Sequence, residues 1–219
     1  MISEAVATIA AGGVLREVRS APPLTIRQLH REPDGTCALC LVGSAAGPLP
    51  GDELTLQLDV GRGARASLVA SGATIAQGNG GPARIWIHVN LDHEASLDAD
   101  PGALIVCAGA QVEVRVSITL AESATLCWRE VVVLGRTGEP GGAAVLDWDV
   151  TRAGRPLLRQ RIDLTDPELT RWPGLLGQHR IIDSTLRVGP AIAATTAVHG
   201  TGHVTQKLAD HATLTTRLA

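Results

Sequence analysis

The chain has 219 residues, of which 45% are hydrophobic and 19% are charged, so it can bury a core of domain size. Its net charge of -3 gives no overall attraction to nucleic acid or to an anionic membrane. It contains four Trp but no Phe and no Tyr, so platforms for stacking single-stranded nucleic acid are scarce. These properties argue against nucleic-acid and membrane partners, and we expect a single domain over residues 1–219.

The predicted location is the cytoplasm. No apolar run approaches the roughly 20 residues that span a bilayer, and the first residues lack the basic segment of a secretory signal. The four cysteines lie among alternating apolar residues, which favours buried thiols in a reducing compartment over disulfides. Cys37 and Cys40 have the spacing of half a zinc knuckle, but no second pair of ligands follows.

The dominant pattern along the chain is strand, turn, strand. Residues 54–60, 84–89 and 112–118 alternate apolar and polar side chains with the period of a half-buried strand. Turn residues mark three reversals, at Asp34-Gly35, Pro101-Gly102 and Ala153-Gly154. The glycine-rich residues 71–82 are predicted to form an irregular exposed loop.

Three similar segments, 60–66, 91–97 and 120–126, recur about every thirty residues. In chain order, each segment has one apolar residue, three polar or small residues, an Ala, one polar residue and a final apolar residue. Repeated corners of this kind predict a mostly β fold with solenoid-like stacked sheets, although coincidence in an alanine-rich chain is an alternative.

One or two short helices complete the predicted fold. The best candidate has Asp166 as its N-cap and Pro167 at its first position.

An apolar run at residues 131–134 predicts a strand that is buried on both faces. Glu130 precedes this run, and a buried carboxylate needs a partner or a polar cavity. Arg136 follows it.

Two histidines four residues apart, His199 and His203, are weak candidates for holding a metal ion. The glycines between them favour an exposed hairpin tip instead. Asp92-His93-Glu94 lies at a predicted corner, where charged side chains are usually solvated.

No set of residues predicts catalysis. Asp147 and Asp149 flank Trp148 on one strand face, so a two-carboxylate site is conceivable, but solvent-facing residues around a buried Trp explain them equally well. No serine has the nucleophile-elbow pattern, and no glycine-rich segment has the spacing of a phosphate-binding loop. We therefore expect the chain not to be an enzyme.

The central segment resembles the signature of the urease accessory protein UreD (UreH) family. The resemblance rests on Trp128, Glu130, Leu134-Gly135-Arg136 and Gly138-Glu139. Further segments follow in the family's order, including the turn that ends in Gly51-Asp52, and the resemblance extends over residues 12–190.

This resemblance implies a non-enzymatic urease maturation scaffold with a solenoid-like β fold. Such a protein joins UreF, which recruits the GTPase UreG, and the complex docks on urease apoprotein and assists nickel insertion. Nickel would pass through an internal tunnel, so the chain would hold it only transiently and would have no tightly bound cofactor. The resemblance also allows a dimer within the accessory complex.

The matching segments suggest four site residues. We hypothesise that Asp52 and Glu130 face an internal polar passage, while Arg115 and Arg136 balance its charge or contact partners. Ordinary structural salt bridges are an equal alternative. Two other functional classes stay open, namely a β-scaffold carbohydrate-binding module and a hydrolase that uses Asp147 and Asp149.

Overall fold

The alternating segments of the sequence form strands that stack into two sheets facing each other. The computed structural model describes residues 1–190, 196–198 and 202–219. The described strands are β1 (Ile2–Ala10), β2 (Val14–Ser20), β3 (Leu24–Arg31), β4 (Cys37–Gly43), β5 (Glu53–Val60), β6 (Arg65–Ala70), β7 (Thr74–Ala76), β8 (Ala83–Leu91), β9 (Ser96–Ala99), β10 (Ala103–Val106), β11 (Gln111–Leu120), β12 (Thr125–Leu134), β13 (Ala143–Arg152), β14 (Arg155–Asp163), β15 (Ile181–Val188), β16 (Ala197–Val198), β17 (His203–Ala209) and β18 (Ala212–Leu218). A 3-10 turn (Ala11–Gly13) and one short helix, α1 (Pro167–Thr170), accompany them.

Both sheets have a parallel centre. The first sheet has the order β14-β13-β11-β8-β5-β1-β2, and its strands from β1 to β13 run parallel. The second sheet has the order β16-β17-β18-β15-β12-β9-β6-β4-β3, and β4, β6, β9 and β12 run parallel. A short branch, β7-β10, joins the second half of β12 in parallel. The chain thus alternates between the sheets, as in a β-solenoid.

The three repeated segments are the corners between the sheets, which confirms the predicted mostly β, solenoid-like fold. Their alanines, Ala64, Ala95 and Ala124, are at most 1% exposed. The corners stack through main-chain hydrogen bonds, with Ser96 N donating to Ala64 O and Thr125 N to Ala95 O, both at 2.9 Å. A small side chain is needed here because successive corners approach closely.

Antiparallel strands cap the ends of the parallel stacks. In the first sheet, β2 pairs with β1 and β14 pairs with β13. In the second sheet, β3 pairs with β4 and β15 pairs with β12. Capping of this kind closes a repetitive stack that would otherwise present open edges.

The predicted turns and helix are confirmed. Gly35 and Gly102 have φ of 85° and 84°, and Ala153 and Gly154 both have positive φ between β13 and β14. Asp166 caps α1 by accepting hydrogen bonds from the N–H groups of the second and third helical residues.

The inner faces of both sheets form one apolar core that includes Trp128 and Trp148. All four cysteines carry free thiols, and three are buried, with Cys127 half-buried. Within the described ranges, no helix is long and apolar enough to cross a membrane. The single domain over residues 1–219 stays a prediction.

Two predictions about local structure are wrong in detail. Val132 and Leu134 are buried, but Val131 and Val133 are only half-buried, because they lie on the outer face of the second sheet. Residues 71–82 do not form an uninterrupted loop, since they contain β7, a strand too short to give a periodic pattern.

Candidate functional site

Strand β12 places a carboxylate between the two sheets. Its inward positions are occupied by Leu126, Trp128, Glu130, Val132 and Leu134, so Glu130 is the one ionisable side chain in an otherwise apolar row. The Oε2 atom of Glu130 is buried and has no hydrogen-bond partner in the structure. A buried and unpaired carboxylate oxygen is costly, which makes it a candidate for a functional group.

Glu130 lines an internal cavity of about 70 Å³. Leucine, isoleucine and valine side chains from both sheets form most of the wall, and Glu130 is the only ionisable residue among the lining residues. The indole Nε1 of Trp128, another lining residue, is also buried without a hydrogen-bond partner. The cavity therefore contains one unpaired donor and one unpaired acceptor in an apolar surrounding.

The cavity changes the acidity of this carboxyl group. Burial raises the pKa of Glu130 to about 7, and a hydrogen bond with Trp148 opposes this shift. The physical cause is that the apolar wall solvates the carboxylate poorly, whereas the indole N–H stabilises it. Near neutral pH, both the neutral and the charged form of Glu130 are thus populated.

Two further voids lie beside this cavity. They have volumes of about 230 and 150 Å³ and lie between residues 43–47 and residues 71–77. Leu24 and Thr74 line both of these voids and the internal cavity, so the three are adjacent. The cavity that Glu130 lines is thus a neighbour of the voids beside β7.

Asp52 does not line these voids. It is 4% exposed and lies just before β5. Its carboxylate accepts hydrogen bonds from the Met1 amino group at 2.7 Å and from the Leu49 N–H at 2.8 Å. Burial raises the pKa of Asp52, but these two hydrogen bonds outweigh it, and the net pKa is lowered.

The two predicted arginines lie on outer surfaces. Arg115 on β11 forms an ion pair with Asp147 at 3.3 Å. Arg136 follows β12 and binds Glu139 through two hydrogen bonds of 3.0 Å. Hydrogen bonds from Arg136 lower the pKa of Glu139 to about 2. The structure thus brings only Glu130, of the four predicted residues, to the cavity, and their functional roles stay predictions.

The remaining acidic candidates form surface contacts. Asp147 lies 3.9 Å from Arg161, and Asp149 lies 3.4 Å from Arg159, both on the outer face of the first sheet. At the corner before β9, the Asp92 carboxylate accepts a hydrogen bond from the His93 N–H.

Of the two histidine candidates, His203 lies in the described part of the chain and His199 does not. His203 on β17 accepts a hydrogen bond from Arg217 at 3.3 Å. The described part of the chain contains no group of three or more His, Cys, Asp or Glu residues that could hold a metal ion.

Two features of the site were not predicted from sequence. The contact between Trp148 and Glu130 joins strands of different sheets, and no local pattern reports such a contact. The voids beside β7 depend on where residues 43–47 leave the sheet. The unusual position of Glu130 before an apolar run was the one available signal.

Comparison with known proteins identifies the family. A family model described as UreD urease accessory protein matches residues 5–217. The chain is 38% identical to urease accessory protein UreD 1 of Streptomyces griseus, over 69% of this chain and 60% of that protein. It is 36% identical to UreD 1 of Saccharopolyspora erythraea, over 77% of this chain and 68% of that protein.

A third relative aligns with more of the chain. It is urease accessory protein UreD of Frankia alni, which is 36% identical over 93% of this chain and 85% of its own length. The aligned part of the chain thus spans between three-fifths and just over four-fifths of these relatives. The family model extends the resemblance at both ends, to residues 5 and 217, and the chain belongs to the UreD urease accessory protein family.

Proposed function

We propose that the chain is a cytoplasmic maturation scaffold for urease. In this proposal it acts together with UreF and the GTPase UreG, docks on urease apoprotein and assists the insertion of nickel. Membership of the UreD family supports the role in maturation. The chain itself performs no chemical step.

The observation that carries the nickel role is the buried carboxylate of Glu130, in a cavity adjacent to two further voids. Nickel binds imidazole nitrogen more tightly than carboxylate oxygen, so a single carboxylate would bind it weakly enough to release it again. The apolar wall offers no competing charged group. Glu130 would be a transient contact for nickel on its way through the scaffold, and the main-chain oxygens of residues 43–47 would offer neutral ligands nearer the surface.

The scaffold role is tested by co-expressing the chain with UreF and UreG and separating the products by size-exclusion chromatography. We expect the three proteins to co-elute, and the complex to shift further when urease apoprotein is added. Urease purified from a strain that lacks the chain should contain little nickel, and expression of the chain should restore it. Separate elution of all components, or full nickel loading without the chain, would contradict the proposal.

The structure offers less support for the hydrolase alternative. A two-carboxylate mechanism needs accessible carboxylates that face a shared substrate, one of them with a raised pKa. Asp147 and Asp149 instead lie within reach of arginines on an open sheet surface. The carbohydrate-binding alternative needs several exposed aromatic residues on one face. Trp128 and Trp148 are buried in the core and Trp86 is half-buried, which leaves Trp172 as the one exposed Trp.

A further inference from the structure

The edge of β7 differs from the other ends of the parallel stacks. The stacks that end at β1, β13, β4 and β12 each have an antiparallel cap. Within the described part of the chain, β7 pairs only with β10, so its outer edge has no strand beside it.

The register identifies the groups at this open edge. Cys107 N donates to Ala76 O at 3.0 Å, and Ile75 is the partner of Ile105. In a parallel ladder this pattern turns the N–H and C=O of Ile75 away from β10. One main-chain donor and one acceptor therefore point toward the open side.

The space beside this edge has room for another chain. Residues 41–48 approach residues 71–77 at two points, where Ser71 N donates to Leu41 O at 2.9 Å and Gln77 N donates to Pro48 O at 3.2 Å. Between these two points the segments separate, and the voids of about 230 and 150 Å³ lie in the gap. About half of the residues that line these voids are Gly or Ala, whose small side chains leave main-chain groups accessible.

The chemistry of the edge also favours a peptide occupant. Folded proteins protect exposed strand edges with charged residues and proline. The edge strand β14 carries Arg155, Pro156, Arg159 and Arg161, whereas β7 has the uncharged sequence Thr-Ile-Ala. No ionisable side chain lines either void in the gap, and Ile75 is 40% exposed. An uncharged, extended segment fits these walls, whereas a charged one would lose hydration without gaining a partner.

We propose that β7 is the docking site for a short, extended and uncharged segment of a protein partner, which adds to the sheet as an antiparallel cap. This mode of binding uses main-chain hydrogen bonds for affinity and side-chain contacts for specificity. The inference rests on the proposed function, in that it places the chain in a complex. Because the voids in the gap adjoin the cavity that Glu130 lines, the occupant would lie beside that cavity.

Hydrogen–deuterium exchange tests this proposal on the full chain, with UreF and urease apoprotein as separate probes. We expect exchange in residues 72–77 to slow by roughly tenfold or more in one of the complexes, while exchange along β14 stays unchanged. If a complex forms with UreF or with urease apoprotein but hydrogen exchange in residues 72–77 slows in neither complex, the inference is wrong. The scaffold role would be unaffected by this result. Failure of both probes to bind would overturn both. Slowing that depends only on the concentration of the chain itself would indicate a second copy as the occupant, and would also contradict the proposal.

Two variants change the edge in different ways. Ile75→Pro removes the outward N–H of residue 75 and leaves the hydrogen bonds to β10 intact. Gly43→Phe places a large side chain in the gap, at a position where an added Cβ has no neighbour within 4 Å. We expect each to weaken the complex about tenfold. Ile75→Val keeps the donor and should bind within about twofold of the unaltered chain. Unchanged binding by both Ile75→Pro and Gly43→Phe, with melting temperatures showing that they are folded, would contradict the inference.

Discussion

At the scale of single residues, Glu130 combines an inward strand position with a side chain that the core does not favour. The alternation of β12 points it between Trp128 and Val132, where an apolar residue would be more stable. Burial therefore raises its pKa, and the hydrogen bond with Trp148 offsets only part of the cost. A residue that weakens the fold in this way is a candidate for a functional role.

Replacing this carboxyl group with an amide should stabilise the protein at alkaline pH. The pKa of Glu130 rises from 4.5 to about 7 on folding, so the folded protein binds a proton that the unfolded chain has released. Stability should then fall as pH rises from 4.5 to 7 and level off above. Glu130→Gln should be more stable than the unaltered chain by about 3 kcal/mol at about pH 8, and the difference should vanish below about pH 4.

Denaturant unfolding at several pH values measures this difference. The control is Glu122→Gln, which removes an exposed carboxylate from a corner, and we expect no pH-dependent gain from it. An equal effect of both substitutions would show that Glu130 is not buried in the way described.

At the scale of elements, the corners decide how closely the coils stack. Ala64, Ala95 and Ala124 lie in equivalent places, and the main-chain hydrogen bonds between corners hold the coils in register. Ala95 is the middle of the three and has a corner on either side. An added methyl group at this position cannot be accommodated without separating the coils.

We therefore expect Ala95→Val to lower the free energy of unfolding by about 1 to 3 kcal/mol. Ala108→Val, at an exposed turn between β10 and β11, should cost less than about 0.5 kcal/mol. Thermal unfolding of both variants makes the comparison. Equal stability of the two variants would contradict the close packing of the corners.

A substitution in the hairpin between β13 and β14 should instead raise the free energy of unfolding. Ala153 has φ of 49°, a left-handed conformation that is costly for alanine and better tolerated by asparagine. Ala153→Asn should raise the free energy of unfolding by about 0.5 to 1 kcal/mol. Ala108→Asn, at a position without positive φ, should not. A loss of stability at Ala153 would mean that this turn has another conformation.

At the scale of the whole molecule, the sequence predicts the architecture better than the site. The alternating segments and the repeated Ala corners predict stacked sheets, because period and spacing are local properties of the chain. The placement of β7 and the voids beside it depends on how residues 43–47 separate from residues 71–77, which is a tertiary property. Glu130 could be predicted as unusual, but the absence of Asp52 from its cavity could not, because the contact of Asp52 with the Met1 amino group joins residues far apart in the sequence.

Within the described part of the chain, two sheets enclose the Glu130 carboxyl group, and the edge of β7 lies beside voids that adjoin its cavity. In the proposed function, the chain contributes to the maturation of urease as a scaffold and not as a catalyst. The proposed roles in binding a partner and in passing nickel use separate parts of the same fold, namely the edge of β7 and the side chain of Glu130.

The most direct test is the nickel content of urease from a strain that lacks the chain and is complemented with either Glu130→Gln or the control Glu122→Gln. Both variants should be present at equal levels and should form the same complex with UreF. We expect urease from the Glu130→Gln strain to contain at least about threefold less nickel per active site than urease from the control strain, since one cation-binding oxygen pair is lost. Equal nickel content in the two strains would contradict the role of Glu130 in nickel passage.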